Sequence, residues 1–173
     1  IAPPAVINIE KDLYFFNGHS SKDIKVTVQS FKDNLSGKIL FNVNNSWKIE
    51  PATIDFSDMK KNQKKDYFIK VTPSQSSDKS EIIAKVLIDG KEYSKKIIRK
   101  QYKHIMPQTI FQESKAVLQS YDLTKSKLKK IGYIPGSGDL IPDFLSDLGF
   151  DVVVFDDKQF SQNQLEQYDV IIT

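Results

Sequence analysis

The stretch KKIGYIPGSGDLIPDFLSDLGFDVVVFDD, residues 129–157, decides whether the chain holds one kind of structure or two. Two apolar runs, "IGYI" (131–134) and "DVVVF" (151–155), have the composition of strands buried on both faces. Between them Leu140, Ile141, Phe144, Leu145 and Leu148 recur at helical spacing, with Asp139 placed to cap the helix and Gly149 to end it. "SQNQLEQ" (161–167) reads as a shorter second helix and "YDVIIT" (168–173) as a third strand. The order strand, helix, strand, helix, strand predicts a parallel, right-handed α/β unit over residues 129–173. That is fewer elements than an open doubly wound sheet needs, and no crossover helix follows Thr173. The unit therefore reads as truncated, less stable than what precedes it, and the sequence as a fragment of a longer polypeptide.

Upstream the period is two. "IKVTVQSF" (24–31) sets Ile24, Val26 and Val28 on one face and Lys25, Thr27 and Gln29 on the other. "GKILFNV", "DYFIKV", "EIIAKVLI" and "YSKKIIRK" repeat the pattern, broken by turns such as "FKDNLSG" and "TPSQSSDKS". Asp89-Gly90 marks a tight hairpin between "EIIAKVLI" and "KEYSKKII". Residues 1–102 are thus expected to form an immunoglobulin-like antiparallel sandwich of about seven strands. Residues 103–128, with a proline and scattered apolar positions, read as a connector packing on both parts. The fold class expected is mixed: an all-β sandwich, then a truncated α/β (βαβαβ, flavodoxin- or amidotransferase-like) unit.

The formal charge of +3 hides an asymmetry. Residues 129–173 carry three lysines against eight acids, near −5, which leaves the remainder near +8. The two parts could attract each other, but solvated lysines on strand faces account for the pattern more simply. The lysines are spread along strands without an aromatic-rich motif, so nucleic acid is not expected as a partner. The apolar runs are too short for a membrane-spanning helix. The opening "IAPPAVINIE" reads as a proline-flanked strand rather than a signal segment. The absence of cysteine removes disulfides, thiolate nucleophiles and thiolate metal sites.

Gly136, Ser137, Gly138 and Asp139 follow a strand and open a helix, where backbone amides could hold an anion. A dinucleotide fingerprint would place a third glycine where Ile141 stands, and a P-loop would need Lys followed by Ser or Thr. Asp139 would also repel a phosphate, which favours a plain turn with an N-cap. Trp47 reads as core, with sugar stacking as the functional alternative. His19 reads as a loop residue and His104 as a packing residue, and neither has zinc-ligand spacing. Asp139, Asp143 and Asp147 recur every fourth residue and read as a solvated acidic face rather than a cation site. No catalytic residue and no metal site are assigned.

The order "YKHIMPQTIF", "LKKIGYIPGSGDLIPDFLSDLGFDVVVFDD", "YDVIIT" resembles the C-terminal region of bacterial, Bacteroidetes-type PIG-L N-acetylglucosaminyl deacetylases. In that family a zinc deacetylase domain is followed by an immunoglobulin-like sandwich and a domain similar to class I glutamine amidotransferases. The His-Pro-Asp-Asp type zinc motif has no match here, so the resemblance implies zinc only in a deacetylase domain outside these residues. It implies a non-catalytic accessory region that acts as a scaffold or orients domains, with the deacetylase domain of the same polypeptide as partner. It also implies export to the periplasm or cell surface, with the cytoplasm left open. Two other functions are weighed. One is a carbohydrate-binding module presenting Trp47 with Tyr14, Tyr67 or Tyr93 to glycan. The other is small-molecule or anion binding at Gly136 to Asp139.

Overall fold

The computed structural model describes residues 3–102, 105–123, 127–136, 140–155 and 165–173. Twelve strands come first: β1 (Ala5–Ile9), β2 (Leu13–Asn17), β3 (Lys22–Ser30), β4 (Leu35–Asn42), β5 (Trp47–Glu50), β6 (Thr53–Met59), β7 (Lys64–Pro73), β8 (Asp78–Ile88), β9 (Lys91–Tyr93), β10 (Lys95–Tyr102), β11 (Ile105–Glu113) and β12 (Lys115–Tyr121). Then follow β13 (Lys130–Tyr133), helix α1 (Ile141–Asp147), β14 (Asp151–Val154), a 3-10 turn at Leu165–Gln167 and β15 (Val170–Ile172).

The period-two pattern becomes a β-sandwich. One sheet runs β1-β3-β7-β5 and the other β2-β12-β8-β4-β6, with β9 attached to β8. Ile7 and Ile9 on β1, Ile24, Val26 and Val28 on β3, and Ile69 and Val71 on β7 point inward from the first sheet. Phe16, Leu118, Ile82, Val86 and Ile39 meet them from the second, in one continuous core. Each such side chain taken fully from water contributes about 1.5–3 kcal/mol, so this layer dominates the stability of the chain. The β8–β9 hairpin turns on Asp89 and Gly90, both at positive φ (49° and 74°), the type I′ geometry that suits the strand twist.

Several sequence expectations need correction. The mixed fold class does not stand: the chain is nearly all β, with a single seven-residue helix among the described residues, and no flavodoxin-like unit is shown. Residues 130–172 contribute three short parallel strands in the order β14-β13-β15. Of the second helix expected at 161–167, only the 3-10 turn lies among the described residues. The apolar runs correctly signalled strands, but such runs do not say what covers them. Val154 and Val170 remain 45% and 38% exposed, and Leu140 and Ile141 60% and 44%.

The stretch read as a connector also differs. Within it, β11 pairs with β10, and β12 lies between β2 and β8 in the second sheet. Ala116, Leu118 and Ser120 of β12 alternate inward with small or modest side chains, which gave a weak period-two signal. Its partner β2 lies about a hundred positions upstream and pairs in parallel, with Val117 opposite Leu13 and Tyr121 opposite Asn17.

Asp139, expected to cap α1, lies outside the described residues. The N-cap of α1 is Leu140 with no side-chain cap bond, and a proline at the helix start fixes the entry. Gly149 ends the helix as expected. At φ 94° it donates to the Ser146 carbonyl at 3.0 Å, while the Phe150 N–H reaches the Leu145 carbonyl at 3.2 Å, the two bonds of a Schellman motif.

Candidate functional site

The strand β2 has two working faces. Tyr14 and Phe16 point into the core, while Leu13, Phe15 and Asn17 point out. On the outer side Phe15 meets Phe144 of α1 edge to face, with ring centroids 5.2 Å apart and planes at 81°. Such aromatic pairs add about 0.5–1.5 kcal/mol beyond the area they bury. Phe15 also leans on Tyr121 of β12, at 6.0 Å.

Charge reinforces this contact at the C-terminal end of α1. Asp147 takes the Lys22 ammonium at 3.1 Å on one carboxylate oxygen and the Lys11 ammonium at 3.4 Å on the other. Lys22 also donates to the Asp147 main-chain carbonyl, where the helix dipole favours a cation. Asp147, which sequence reading placed on a solvated acidic face, is thereby a clasp between the acidic and basic parts of the chain. Asp143 stays exposed, and a cleft of about 330 Å3 between β2 and α1 is lined by Lys11, Leu13, Leu140, Asp143 and Phe144. Beside it the Tyr14 hydroxyl accepts the Lys11 N–H at 3.0 Å; burial pushes this phenol up to about 12, against the opposing effect of that bond.

The parallel strands are held by a second carboxylate. Asp169, just before β15, accepts the N–H groups of Lys129 at 2.7 Å and Lys130 at 2.8 Å. These two bonds, that from Lys130 first, hold its carboxyl below the usual range. Phe155 is buried and packs edge to face on Tyr168 at 5.1 Å.

Trp47 is 4% exposed, with its ring 4.9 Å from that of Phe16. Its indole N–H donates to Asp78 at 2.8 Å, and the Ser46 hydroxyl donates to the same oxygen at 2.5 Å. These bonds, that from Ser46 first, hold the Asp78 carboxyl below its ordinary value against the opposing cost of burial. Trp47 is therefore a core residue tied to a carboxylate, and its ring offers no platform for a sugar. Tyr14 is buried too, while Tyr67 and Tyr93 are half-buried.

Gly136 is exposed, whereas Ser137, Gly138 and Asp139 lie outside the described residues, as does His104. His19 sits in an exposed loop with Nδ1 3.3 Å from the Pro73 carbonyl. Among the described residues no three His, Cys, Asp or Glu side chains gather as metal ligands, and no helix is long and apolar enough to cross a membrane. Sequence reading missed Phe15, Lys11 and Lys22. The available signal was "LYFFN", whose large apolar side chains occupy both inward and outward positions and so call for cover on both faces.

No family model matches the chain, and no curated protein matches it. Solved structures with partial likeness include native alpha-2-macroglobulin of E. coli, at 10% identity over 69% of this chain and TM-score 0.43. Salmonella alpha-2-macroglobulin reacted with methylamine gives 9% identity over 70% and TM-score 0.45. In each case the chain spans 7% of the macroglobulin's length. The sporulation control protein Spo0M of Bacillus subtilis gives 9% identity, 69% of this chain, 51% of that one and TM-score 0.37. These likenesses are too loose to assign a family.

Proposed function

We propose that the chain is a non-catalytic accessory region of a PIG-L-type N-acetylglucosaminyl deacetylase, a β-sandwich scaffold that fixes the orientation of neighbouring parts of the same polypeptide. The observation that carries this reading is the clasp on β2. Phe15 against Phe144 and two lysines on Asp147 join the sandwich to α1 by packing and by charge at once, which is what an orienting module requires. The sequence likeness supplies the identity of the parent enzyme, the deacetylase domain as partner, and export to the periplasm or cell surface.

The test uses the full natural polypeptide. Phe15→Ala combined with Lys22→Ala is expected to lower deacetylation of an N-acetylglucosamine polymer severalfold and to leave a free N-acetylglucosamine derivative unaffected, because only the long substrate needs the domains aligned. Equal activity of variant and parent on the polymer, or a natural reading frame without a zinc motif, would overturn the reading.

A further inference from the structure

Lys91 and Tyr93 stand two residues apart on β9, so strand alternation turns both side chains to one side, and Lys95 opens β10 just beyond them. They border a groove of about 880 Å3 at the end of the sandwich, between the β3–β4 turn and the β8–β9 hairpin. Its floor is apolar, formed by Leu35 and Ile88, 6% and 3% exposed. Phe111 of β11 lines the groove yet is 43% exposed, an aromatic surface left open to water. Lys32 from the β3–β4 turn adds a third ammonium group.

Among the described residues, lysines of the sandwich divide into those paired with a carboxylate and those without one, and the groove gathers three of the second kind. Lys25, Lys38, Lys48, Lys85 and Lys115 each have a carboxylate partner within 3.5 Å. Among the described residues none of Lys32, Lys91 and Lys95 has such a partner, and one carboxylate, Asp89, lines the same groove. Three cations against one anion around an apolar, aromatic floor complement a ligand with an anionic head and an apolar body.

Size decides between ligand classes. A stable protein interface covers about 800 Å2 on each partner, far more than ten lining residues offer. Small-molecule sites run to about 300–1,000 Å3 and combine apolar walls with a few convergent polar groups. We propose that this groove binds a small organic anion, its carboxylate or phosphate held by Lys32, Lys91 and Lys95 and its apolar body against Phe111 and Tyr93. The site shares no residue with the clasp on β2 and does not depend on the deacetylase reading.

Fluorescence titration with anilinonaphthalene sulfonate tests this, alongside phenylnaphthylamine, which has the same aromatic body without the sulfonate. The sulfonate is expected to bind at one saturable site, more tightly than the neutral compound, and to weaken with salt. Replacing Lys32, Lys91 and Lys95 by Ala should weaken it about tenfold, as the sum of three partly solvated ion pairs. Lys60→Ala with Lys61→Ala, outside the groove, should leave it unchanged, and all variants should melt as the parent does, since the replaced side chains are exposed. Phenylphosphate and phenylacetate as competitors separate a phosphate head from a carboxylate head. Equal affinity for charged and neutral probes, an unchanged triple variant, or displacement by neither competitor would overturn the proposal. Should the triple variant melt early, the single charge reversal Lys95→Glu with the same salt series gives the same decision.

Discussion

The sandwich and the three-stranded parallel sheet after it are both strands with apolar faces, yet they bury those faces to different depths. In the sandwich two sheets close on each other, and Phe16, Ile24, Val26, Ile39, Ile82 and Leu118 lie within 1% of full burial. In β13–β15 the central strand is covered, with Ile131 and Tyr133 at 2% and 3%, while Val154 and Val170 on the flanking strands stay open. A strand's sequence announces that it needs cover; the number of packed layers determines how much it receives. The sandwich is therefore the stability unit, and the C-terminal sheet is a smaller one docked through β2 and α1.

The largest way to break this contrast is at the core. Phe16→Ala removes the ring that packs on Trp47 and should cost about 3–5 kcal/mol. Urea unfolding followed at Trp47 and by circular dichroism should show both regions lost together at a lower midpoint. Phe155→Ala, at the other buried aromatic, should cost about 3 kcal/mol, but locally. Hydrogen exchange should accelerate across 130–172 while the Trp47 transition stays in place. A shift of that transition as large as that of Phe16→Ala would mean the two regions unfold as one.

A smaller effect belongs to the polar link inside the sandwich. Asp78→Ala leaves the buried indole N–H of Trp47 without its acceptor, at about 1–3 kcal/mol in urea unfolding. The pH dependence has a definite sign. Asp78 and Asp169 both titrate below their ordinary value in the folded chain, so their contribution is fully present above the unfolded pKa of about 3.9 and is lost as pH falls through the folded values. The urea midpoint should hold at neutral pH and drop below about pH 4, with a shallower drop in Asp78→Asn. Smallest is Lys11→Ala, which removes a half-exposed ion pair worth about 0–1 kcal/mol and should leave the melting temperature nearly unchanged.

Much of this was legible in the residues. Alternation located the principal strands of the sandwich, Asp89-Gly90 its hairpin, Gly149 the end of α1, and the size of Trp47 its burial. Other features depend on distant partners. β12 carries Ala116 and Ser120 inward and acquires its place only by pairing with β2 and β8, so local apolarity understated it. The apolar spacing from 140 to 148 predicted a helix but not its docking face, which Phe15 and Asp147 supply from outside the segment. The three cations of the end groove come from a turn, a hairpin and the strand after it, and convergence of that kind leaves no linear motif.

Native-state hydrogen exchange across both regions is the most direct test of the central claim. Amides of β3, β7 and β8 should exchange only with global unfolding, and those of β13, β14 and β15 through a smaller opening that leaves the sandwich folded. Equal protection in the two regions of a monomer would contradict the account.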